Sequence, residues 1–499
     1  MTLEQAIAKL NTMEEARSAL SHAMSVMYVD GDTAAPRNSY KGRGRALGYL
    51  SGELYRLLVN DEMRETLETI LDARSACDEV TFRRAEVLKE EYDDLTRIPM
   101  AEYVAYQTLQ TDANTVWHEA KEKSDYAMFA PYLEKLIDYQ KRFAVYKNAD
   151  KPAYDVMLDS YEKGISMATV DPFFALLRDK LTPVIQAVAA APAPRTDFLH
   201  RSYPIDRQRI FSDRLMAMMG IDRDNCNIAE TEHPFTDGCN KWDVRITTHY
   251  HEHDVASSMF SVIHEGGHAL YELGVRDDLQ FTCLATGATM GLHESQSRFY
   301  ENLIGRSAAF CHALYPVMRE LFPEQLADVT EDELYRGVNM SVPSLIRTEA
   351  DELTYAMHVM IRYEMEKLMI GGDAKVSELP ELWNGMYKKY LGQVVPNDRE
   401  GILQDSHWSG GSFGYFPSYA LGSAYGVQML SAMKQTVDVD AAAAAGDLRP
   451  ITAWLGERIH QYGRLLKPAD LLRNAIGTEF DPNCYVQYLT DKYKGLYRL

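Results

Sequence analysis

The chain has 499 residues, a hydrophobic content of 46% and a net charge of -21, from 73 acidic and 52 basic residues. A chain of this length buries a sizeable core, either as one body or as two closely packed lobes. The acidic balance, without a clustered run of Lys and Arg, excludes a nucleic-acid partner, because phosphate binding needs segregated basic side chains.

The N-terminal segment is amphipathic and charged, and lacks the basic flank and continuous apolar run of a secretory signal. We find no run of about 18 apolar residues that would span a bilayer. The six cysteines are scattered, with no Cys-x-x-Cys pair and no disulfide-like spacing. These features predict a cytoplasmic protein with no membrane partner.

Apolar residues recur three and four positions apart through most of the chain, which is the spacing of one helix face. Helix-favouring residues are abundant in the same segments. The pattern predicts a mainly α fold with a single domain over residues 1–499. The clearest helices are predicted at about 100–123, 132–147, 172–190, 353–369 and 419–434.

The convincing strand candidates lie near the middle of the chain, at about 227–231 and 242–248, separated by the turn-rich residues 233–238. The pattern predicts a β-hairpin directly before the motif described next. An exposed strand edge there would pair with an extended peptide substrate. A hairpin that only packs against helices fits the same pattern.

A capped helix is predicted after this hairpin, with Asp254 at its N-cap and Gly274 at its end. Within it, Gly266 and Gly267 together lower helix stability by about 2 kcal/mol relative to Ala. This cost predicts that another part of the molecule approaches the helix closely at these two positions.

The same helix contains His264-Glu265-Gly266-Gly267-His268. His264 and His268 are one turn apart, so their imidazoles project from one face about 6 Å apart along the axis and can hold one metal ion. Glu265 lies beside the ion, where it can take a proton from water attacking a carbonyl and pass it to the leaving amine. The motif therefore predicts metal-assisted hydrolysis.

A catalytic zinc ion needs a third protein ligand and one open position. Glu272 lies about 12 Å along the axis from His264, too far to share the ion. Glu294 opens a second predicted helix 26 residues after His268, which leaves enough chain to turn back. Glu301 is a rival that spacing alone does not exclude. The neighbouring histidine at position 293 is expected to be hydrogen-bonded rather than a ligand.

The sequence resembles the carboxypeptidase Taq family of zinc carboxypeptidases over nearly its whole length. The resemblance rests on an ordered set of motifs: His233-Pro234-Phe235; Asp243-Val244-Arg245-Ile246-Thr247; His264-Glu265-Gly266-Gly267-His268; His293-Glu294-Ser295-Gln296; Ile346-Arg347-Thr348-Glu349-Ala350-Asp351; and Gly401-Ile402-Leu403-Gln404-Asp405-Ser406-His407-Trp408. Several motifs in one order are far more specific than a zinc motif alone.

This resemblance implies a saddle-shaped helical molecule with a deep central cleft, similar to neurolysin and angiotensin-converting enzyme. It implies a metallocarboxypeptidase of broad preference that releases single amino acids from the free C-terminus of peptides. It also implies a homodimer with one zinc ion in each subunit, for which cobalt can substitute. The resemblance also implies that Glu294 is the third metal ligand beside His264 and His268.

An enzyme acting at a C-terminus must recognise a free carboxylate, which a guanidinium binds with two parallel hydrogen bonds. Arg347 is the leading candidate, with Asp351 four residues later, and Arg245 on the hairpin is the second. Without the family context, Arg347 and Asp351 would more simply be an ion pair on a helix surface. His233 and Gln404, from the shared motifs, complete the predicted substrate contacts.

Negative charge develops on the carbonyl oxygen during water attack, and a donor aimed there lowers the barrier. His407, Tyr415 and Tyr419 are the candidates for this role. Glycines at 410, 411 and 414 predict a flexible loop that closes over substrate.

Two other functions fit parts of this pattern. One is a zinc oligopeptidase or dipeptidyl carboxypeptidase with the same helical cleft. The other is a metal- or peptide-binding scaffold without turnover, against which Glu265 argues because such a scaffold needs no base.

Overall fold

A computed structural model describes all residues from 1 to 499. It contains three short strands, β1 (Cys226–Glu230), β2 (Thr236–Asn240) and β3 (Asp243–Thr248). The remaining structure is mainly helical, which confirms the predicted fold class. The twenty α-helices are α1 (Leu3–Thr33), α2 (Tyr40–Leu58), α3 (Asp61–Asp72), α4 (Glu79–Arg97), α5 (Met100–Lys123), α6 (Tyr126–Lys147), α7 (Ala153–Tyr161), α8 (Met167–Ala190), α9 (Ile205–Met219), α10 (Val255–Leu273), α11 (Met290–Arg298), α12 (Ala308–Leu321), α13 (Glu331–Val338), α14 (Glu352–Gly371), α15 (Leu379–Leu391), α16 (Pro417–Met433), α17 (Val439–Ala444), α18 (Arg449–Arg458), α19 (Pro468–Ile476) and α20 (Asn483–Tyr497).

The five helices predicted most clearly are present as α5, α6, α8, α14 and α16. Helices α6 and α8 begin several residues before the predicted starts, and they continue through Pro131 and Pro172. Burial explains the extra turns, because Phe129 and Val170 in these early segments lie in the core. Tertiary packing therefore stabilises helical turns before Pro131 and Pro172, although a proline normally marks a helix boundary.

The sheet differs from the predicted hairpin. Strands β1 and β3, which correspond to the two predicted strands, pair in parallel, with Cys226 opposite Val244. The intervening segment, predicted as a turn, supplies β2, which pairs antiparallel with the other side of β3. The predicted hairpin of β1 with β3 is therefore wrong, and the antiparallel pair is formed by β2 and β3. This order puts β2 at an edge of the sheet, packed against α1 and α10.

Two of the three separate apolar clusters organise most of the helices. The larger one comprises 99 buried residues between Ile98 and Leu496 and contains the faces of α10, α11, α14 and α16. The smaller one joins α1, α3 and α4 through residues such as Leu10, Leu67 and Leu88. The N-terminal helices thus pack among themselves, and α1 contacts the main body partly through β2.

The structure contains no helix with both the length and the apolar character needed to cross a membrane. All six cysteines are free thiols. A single domain over residues 1–499 stays a prediction.

Candidate metal centre and active site

Helix α10 presents both predicted metal-binding histidines on one face. Asp254 caps the helix by accepting a hydrogen bond of 3.2 Å from the Ser257 backbone N–H, and Gly274 follows its end, as predicted. The rings of His264 and His268 are 5.0 Å apart between centroids. Two imidazoles at this separation, one turn apart, can approach the same ion.

The paired glycines allow two neighbours to pack directly on α10. A Cβ atom at Gly267 would lie 2.7 Å from the carbonyl oxygen of Gln296 and 2.7 Å from Cα of Ser297, both on α11. A Cβ atom at Gly266 would lie 2.7 Å from the Met219 side chain. The predicted close approach is therefore confirmed, and it brings the backbone of α11 against α10.

Glu294 of α11 projects from this contact toward the two histidines. Its Oε2 atom lies 3.6 Å from His268 Nε2 and 4.0 Å from His264 Nε2. Helix α16 packs on the opposite side of α11, where a Cβ atom at Gly422 would lie 3.0 Å from Cβ of Glu294. Close packing from both sides fixes the position from which the Glu294 carboxylate extends.

Glu301, the rival ligand, contacts the other side of His264. It belongs to a π-helical segment, Phe299–Gly305, that directly continues α11. Its Oε2 atom accepts hydrogen bonds from His264 Nδ1 at 2.8 Å and Arg298 Nη1 at 3.3 Å. Burial alone would raise the pKa of Glu301, but Arg298 and His264 hold that pKa well below its usual range. Glu301 therefore orients His264 as an ionised acceptor.

His268 has an equivalent support on its far side. Its Nδ1 atom lies 2.6 Å from Nδ1 of His293, whose Nε2 lies 2.7 Å from Oε1 of Glu272. Glu272 is fixed in turn by the hydroxyl of Thr286, which donates to Oε1 at 2.9 Å. Burial lowers the pKa of His268, which favours the neutral imidazole that a metal needs. The prediction that His293 is hydrogen-bonded is confirmed.

Glu265 is buried beside the histidines and contacts β2. The Thr236 hydroxyl donates to Oε2 of Glu265 at 2.7 Å and contacts its backbone oxygen at 3.0 Å. Burial raises the pKa of Glu265. The sequence pattern predicts a turn over residues 233–238 and therefore does not point to Thr236. In the structure, Thr236 begins a strand whose partner carries the motif Asp243-Val244-Arg245-Ile246-Thr247.

The model of the carboxypeptidase Taq (M32) metallopeptidase family matches residues 9–493. The chain belongs to this family. It is 41% identical to carboxypeptidase 1 of Bacillus subtilis strain 168 over 481 residues, covering 96% of each chain. It is 34% identical to thermostable carboxypeptidase 1 of Pyrococcus furiosus, covering 99% of this chain and 98% of the relative. The crystal structure of an M32 carboxypeptidase from Deinococcus radiodurans R1 superposes with a TM-score of 0.97 at 34% identity, covering 99% of this chain and 100% of that one.

This protein is therefore a metallocarboxypeptidase of the M32 family, and the predicted family, enzyme class and main function are confirmed. The same architecture extends through the solved relatives at whole-chain coverage.

In the M32 carboxypeptidase, Arg347 belongs to a buried charge cluster. Its Nε and Nη2 atoms donate to Oδ1 of Asp405 at 3.0 and 2.8 Å, and its Nη1 donates to the Tyr355 hydroxyl at 3.0 Å. Arg362 binds the other oxygen of Asp405 at 2.6 Å. Arg347 does not pair with Asp351, so the alternative of a helix-surface ion pair is wrong. Arg347 precedes α14 and is buried, and its partner comes from a distant segment.

Asp351 and Gln404 are both engaged with the protein itself. Asp351 caps α14, accepting hydrogen bonds of 3.0 and 3.1 Å from the backbone N–H groups of Leu353 and Thr354. Gln404 Oε1 accepts from the backbone N–H of Arg347 at 3.0 Å and from Nη2 of Arg362 at 2.7 Å. Contact with substrate stays a prediction for both residues, and the observed contacts are structural.

His407, Tyr415 and Tyr419 form one aromatic group next to this cluster. His407 Nε2 lies 3.4 Å from the Tyr419 hydroxyl, and the rings of Tyr415 and Tyr419 are 5.1 Å apart. Burial lowers the pKa of His407 to about 4, so its imidazole is neutral near pH 7. Its Nδ1 atom is buried without a hydrogen-bond partner in the protein. The three candidates are thus brought together, with the guanidinium of Arg347 5.0 Å from the Tyr419 ring.

The glycine-rich stretch after His407 is anchored rather than free. Glu366 of α14 accepts a hydrogen bond from the Gly414 backbone N–H at 2.8 Å and another from Trp408 Nε1 at 2.9 Å. A Cβ atom at Gly414 would lie 2.7 Å from the Met157 backbone. The expectation of a flexible loop, based on three glycines, is corrected by these contacts, since close backbone packing explains Gly414.

Arg245 lies on β3, and His233 lies in the segment between β1 and β2. Arg245 forms a two-pronged ion pair with Asp243 on the same strand, with Nε to Oδ1 at 2.8 Å and Nη2 to Oδ2 at 2.9 Å. His233 is exposed in the turn before β2. Contact of either side chain with substrate stays a prediction.

Proposed function

We propose that this M32 carboxypeptidase holds one zinc ion with His264, His268 and Glu294 and uses it to release single residues from the free C-terminus of peptides. The proposal is carried by one observation: these residues offer two nitrogens and one carboxylate oxygen, all within 4.8 Å of one another. Three such donors fit zinc and leave one position open, as catalysis requires. Cobalt accepts the same donors and is proposed as an alternative ion.

Glu265 is proposed as the general base and acid. When bound, zinc supplies a Lewis acid that polarises the scissile carbonyl and lowers the pKa of water. Glu265 Oε2 is occupied by the Thr236 hydroxyl, which orients the carboxylate and leaves Oε1 to accept the proton of the attacking water. Oε1 then delivers this proton to the leaving amine. Burial raises the pKa of Glu265, which makes the carboxylate a better proton acceptor.

Three further residues are proposed to position the ligands. Glu301 holds Nδ1 of His264, and His293 contacts Nδ1 of His268, which directs both Nε2 atoms toward Glu294. Arg298 Nε donates to Oε1 of Glu294 at 2.8 Å, leaving Oε2 directed at the histidines. Supports of this kind typically change metal affinity 10- to 100-fold when they are removed.

Arg347 is proposed to recognise the terminal carboxylate of the peptide. Two guanidinium groups, those of Arg347 and Arg362, share the single carboxylate of Asp405, so the buried cluster carries a net positive charge. A buried cation gains from a second anionic partner, which the substrate terminus supplies. Arg245 is the second candidate, held on β3 by Asp243.

His407, Tyr415 and Tyr419 are proposed to stabilise the developing oxyanion. His407 has an unpartnered buried Nδ1 and a lowered pKa of about 4, so it acts as a neutral donor. The tyrosine hydroxyls stay protonated because burial raises the pKa of both groups. A neutral donor in a dry site stabilises charge that appears only in the transition state.

The direction and size of the cut are tested with a peptide blocked at its N-terminus. We expect free amino acids to appear one after another from the C-terminal end. Dipeptides or internal fragments would instead identify a dipeptidyl carboxypeptidase or an oligopeptidase. Tight peptide binding without any cleavage by the zinc-loaded protein would identify a non-catalytic scaffold.

We also propose that the enzyme is a cytoplasmic homodimer. The free state of all six cysteines supports a reducing compartment. The dimer rests on the family resemblance, and light scattering tests it by giving a mass twice that of one chain.

A further inference from the structure

A second group of metal-ligating side chains lies at the edge of the sheet. His22 of α1, Cys239 of β2 and Asp243 of β3 each offer one ligand atom, and these atoms lie within 4.8 Å of one another. His22 Nε2 is 3.7 Å from Asp243 Oδ2. Donors around one tetrahedral zinc ion, at bond lengths of about 2.0 to 2.3 Å, are separated by roughly 3.3 to 3.8 Å. Small side-chain rotations therefore close the group around an ion.

Charge and access both favour a cation at this place. Asp237 lies opposite Arg245 across the β2–β3 pair and accepts a hydrogen bond from Ser25, one turn after His22 on α1. The carboxylates of Asp237 and Asp243 thus outnumber the single guanidinium of Arg245. The His22 side chain is 41% exposed and that of Asp243 is 28% exposed, so an ion reaches the donors from solvent.

We infer that His22, Cys239 and Asp243 form a second divalent-metal site, selective for ions such as Zn²⁺ and Cd²⁺ that bind sulfur, with water as the fourth ligand. The ion forms a bond to Sγ of Cys239 and displaces the thiol proton to solvent. Thiolate and imidazole together disfavour Mg²⁺ and Ca²⁺, which prefer oxygen. No sulfur atom belongs to the proposed catalytic donor set, so the two sites differ in chemistry.

Metal binding requires a change in the tautomer of His22. The amide nitrogen of Asn240, a hydrogen-bond donor, faces Nδ1 of His22 at 3.4 Å, which corresponds to a ring proton on Nε2. A contact of this length is weak. An ion that binds Nε2 therefore moves the ring proton to Nδ1 and breaks only this weak contact.

The site is linked to Arg245 through one shared oxygen. Asp243 Oδ2 faces His22 and also accepts from Arg245 Nη2 at 2.9 Å, whereas Oδ1 accepts from Arg245 Nε at 2.8 Å. An ion that binds Oδ2 of Asp243 breaks the hydrogen bond that Arg245 Nη2 donates to this oxygen. Arg245 is proposed as a substrate contact, so excess metal is expected to raise KM. This step alone rests on the proposed function.

The test is a cobalt titration of the full-length protein. We expect two ions per chain, with a near-ultraviolet thiolate-to-cobalt charge-transfer band at saturation. Cys239→Ser should bind one ion without the band, and His22→Gln should weaken the band-forming ion at least 10-fold. Cys484→Ser, at another partly exposed cysteine on α20, is the matched control and should keep both ions and the band.

A wild type that shows no charge-transfer band at saturation, or a band that persists in Cys239→Ser, would overturn the second site. Because the band requires a thiolate, its presence or absence is independent of whether the catalytic assignment is right. In steady-state assays with excess Zn²⁺, KM should rise in the wild type and stay constant in Cys239→Ser. An equal rise in both would overturn the link to Arg245.

Discussion

Gly267 of α10 lies directly against Ser297 of α11, with space for a hydrogen atom and no room for a methyl group. A Cβ atom built on Gly267 would be 2.7 Å from Cα of Ser297. This contact sets the distance between the helix that carries the two histidines and the helix that carries Glu294. The geometry of the candidate metal centre therefore depends on a glycine that contributes no ligand atom.

Gly267→Ala should weaken metal binding as well as stability. Alanine favours a helix by about 1 kcal/mol over glycine, but its methyl group would push the facing backbone of α11 out of close packing, so we expect a net loss of about 1–3 kcal/mol in the free energy of unfolding. The displaced α11 moves Glu294 away from the histidines, so zinc affinity should fall. Gly385→Ala, at an exposed position of α15 with no atom near its Cβ direction, should stabilise the protein instead. Equal zinc affinity in wild type and Gly267→Ala would contradict this account.

Glu265→Gln should retain zinc and lose activity. The amide keeps the size of the side chain and a contact with Thr236, but it accepts no proton from water, so we expect kcat to fall about 10²- to 10⁴-fold. Metal content by atomic emission and peptide hydrolysis check the two parts separately. Glu294→Gln serves as the contrasting variant, since it should lose zinc together with activity.

Glu301→Gln should lower zinc affinity about 10- to 100-fold without removing a ligand. The Glu301 carboxylate accepts from His264 on one side and lies near Arg298 and Arg306 on the other. An amide has one accepting oxygen instead of two and no charge, so it cannot satisfy all three donors. Chelator competition measures the zinc dissociation constant. Glu324→Gln, at an exposed position, should leave that constant unchanged. Unaltered affinity in Glu301→Gln would remove its positioning role.

Arg347→Ala should impair cleavage of peptides with a free C-terminus much more than cleavage of the matching C-terminal amides. Loss of a charged hydrogen-bond donor predicts a drop of about 10- to 100-fold in kcat/KM for the free acids. The variant should remain folded because Asp405 keeps its ion pair with Arg362. Arg178→Ala, which removes an exposed surface ion pair, should behave as the wild type. A similar loss on acids and amides would exclude Arg347 from carboxylate recognition.

His460→Gln should change how stability depends on pH. Burial lowers the pKa of His460 to about 3, so the folded protein keeps this group neutral while the unfolded chain protonates it below about 6.5. Its contribution to stability is therefore complete above pH 6.5 and falls as the pH drops toward 3.

Between pH 7.5 and 5, the wild type should lose about 2 kcal/mol from this group and His460→Gln should lose none of it. The difference in the free energy of unfolding between the two proteins, measured with urea on metal-free samples, should shrink accordingly. His200→Gln, at an exposed position, serves as the control. A constant difference across this pH range would contradict the assignment.

The sequence alone determined the features that depend on neighbouring residues. Helical periodicity predicted five helices, and the cap of Asp254 with the stop at Gly274 predicted α10, because caps and amphipathic spacing act within a few turns. The spacing of His264 and His268 follows from helix geometry once α10 exists. The ordered motifs identified the family, and the match over residues 9–493 confirmed it.

Only the tertiary structure decided which distant segments meet. The parallel pairing of β1 with β3, and the strand β2 in a segment that resembled a turn, depend on hydrogen bonds between non-adjacent strands. Arg347 forms its ion pair with Asp405, 58 positions away, and not with Asp351, four positions away. Local sequence patterns carry no information about such pairs. Each pair is stabilised only when folding buries both partners, side chain or backbone, next to each other. The approach of Ser297 to Gly267 belongs to the same class: the sequence showed that space was left on α10, and packing decided what fills it.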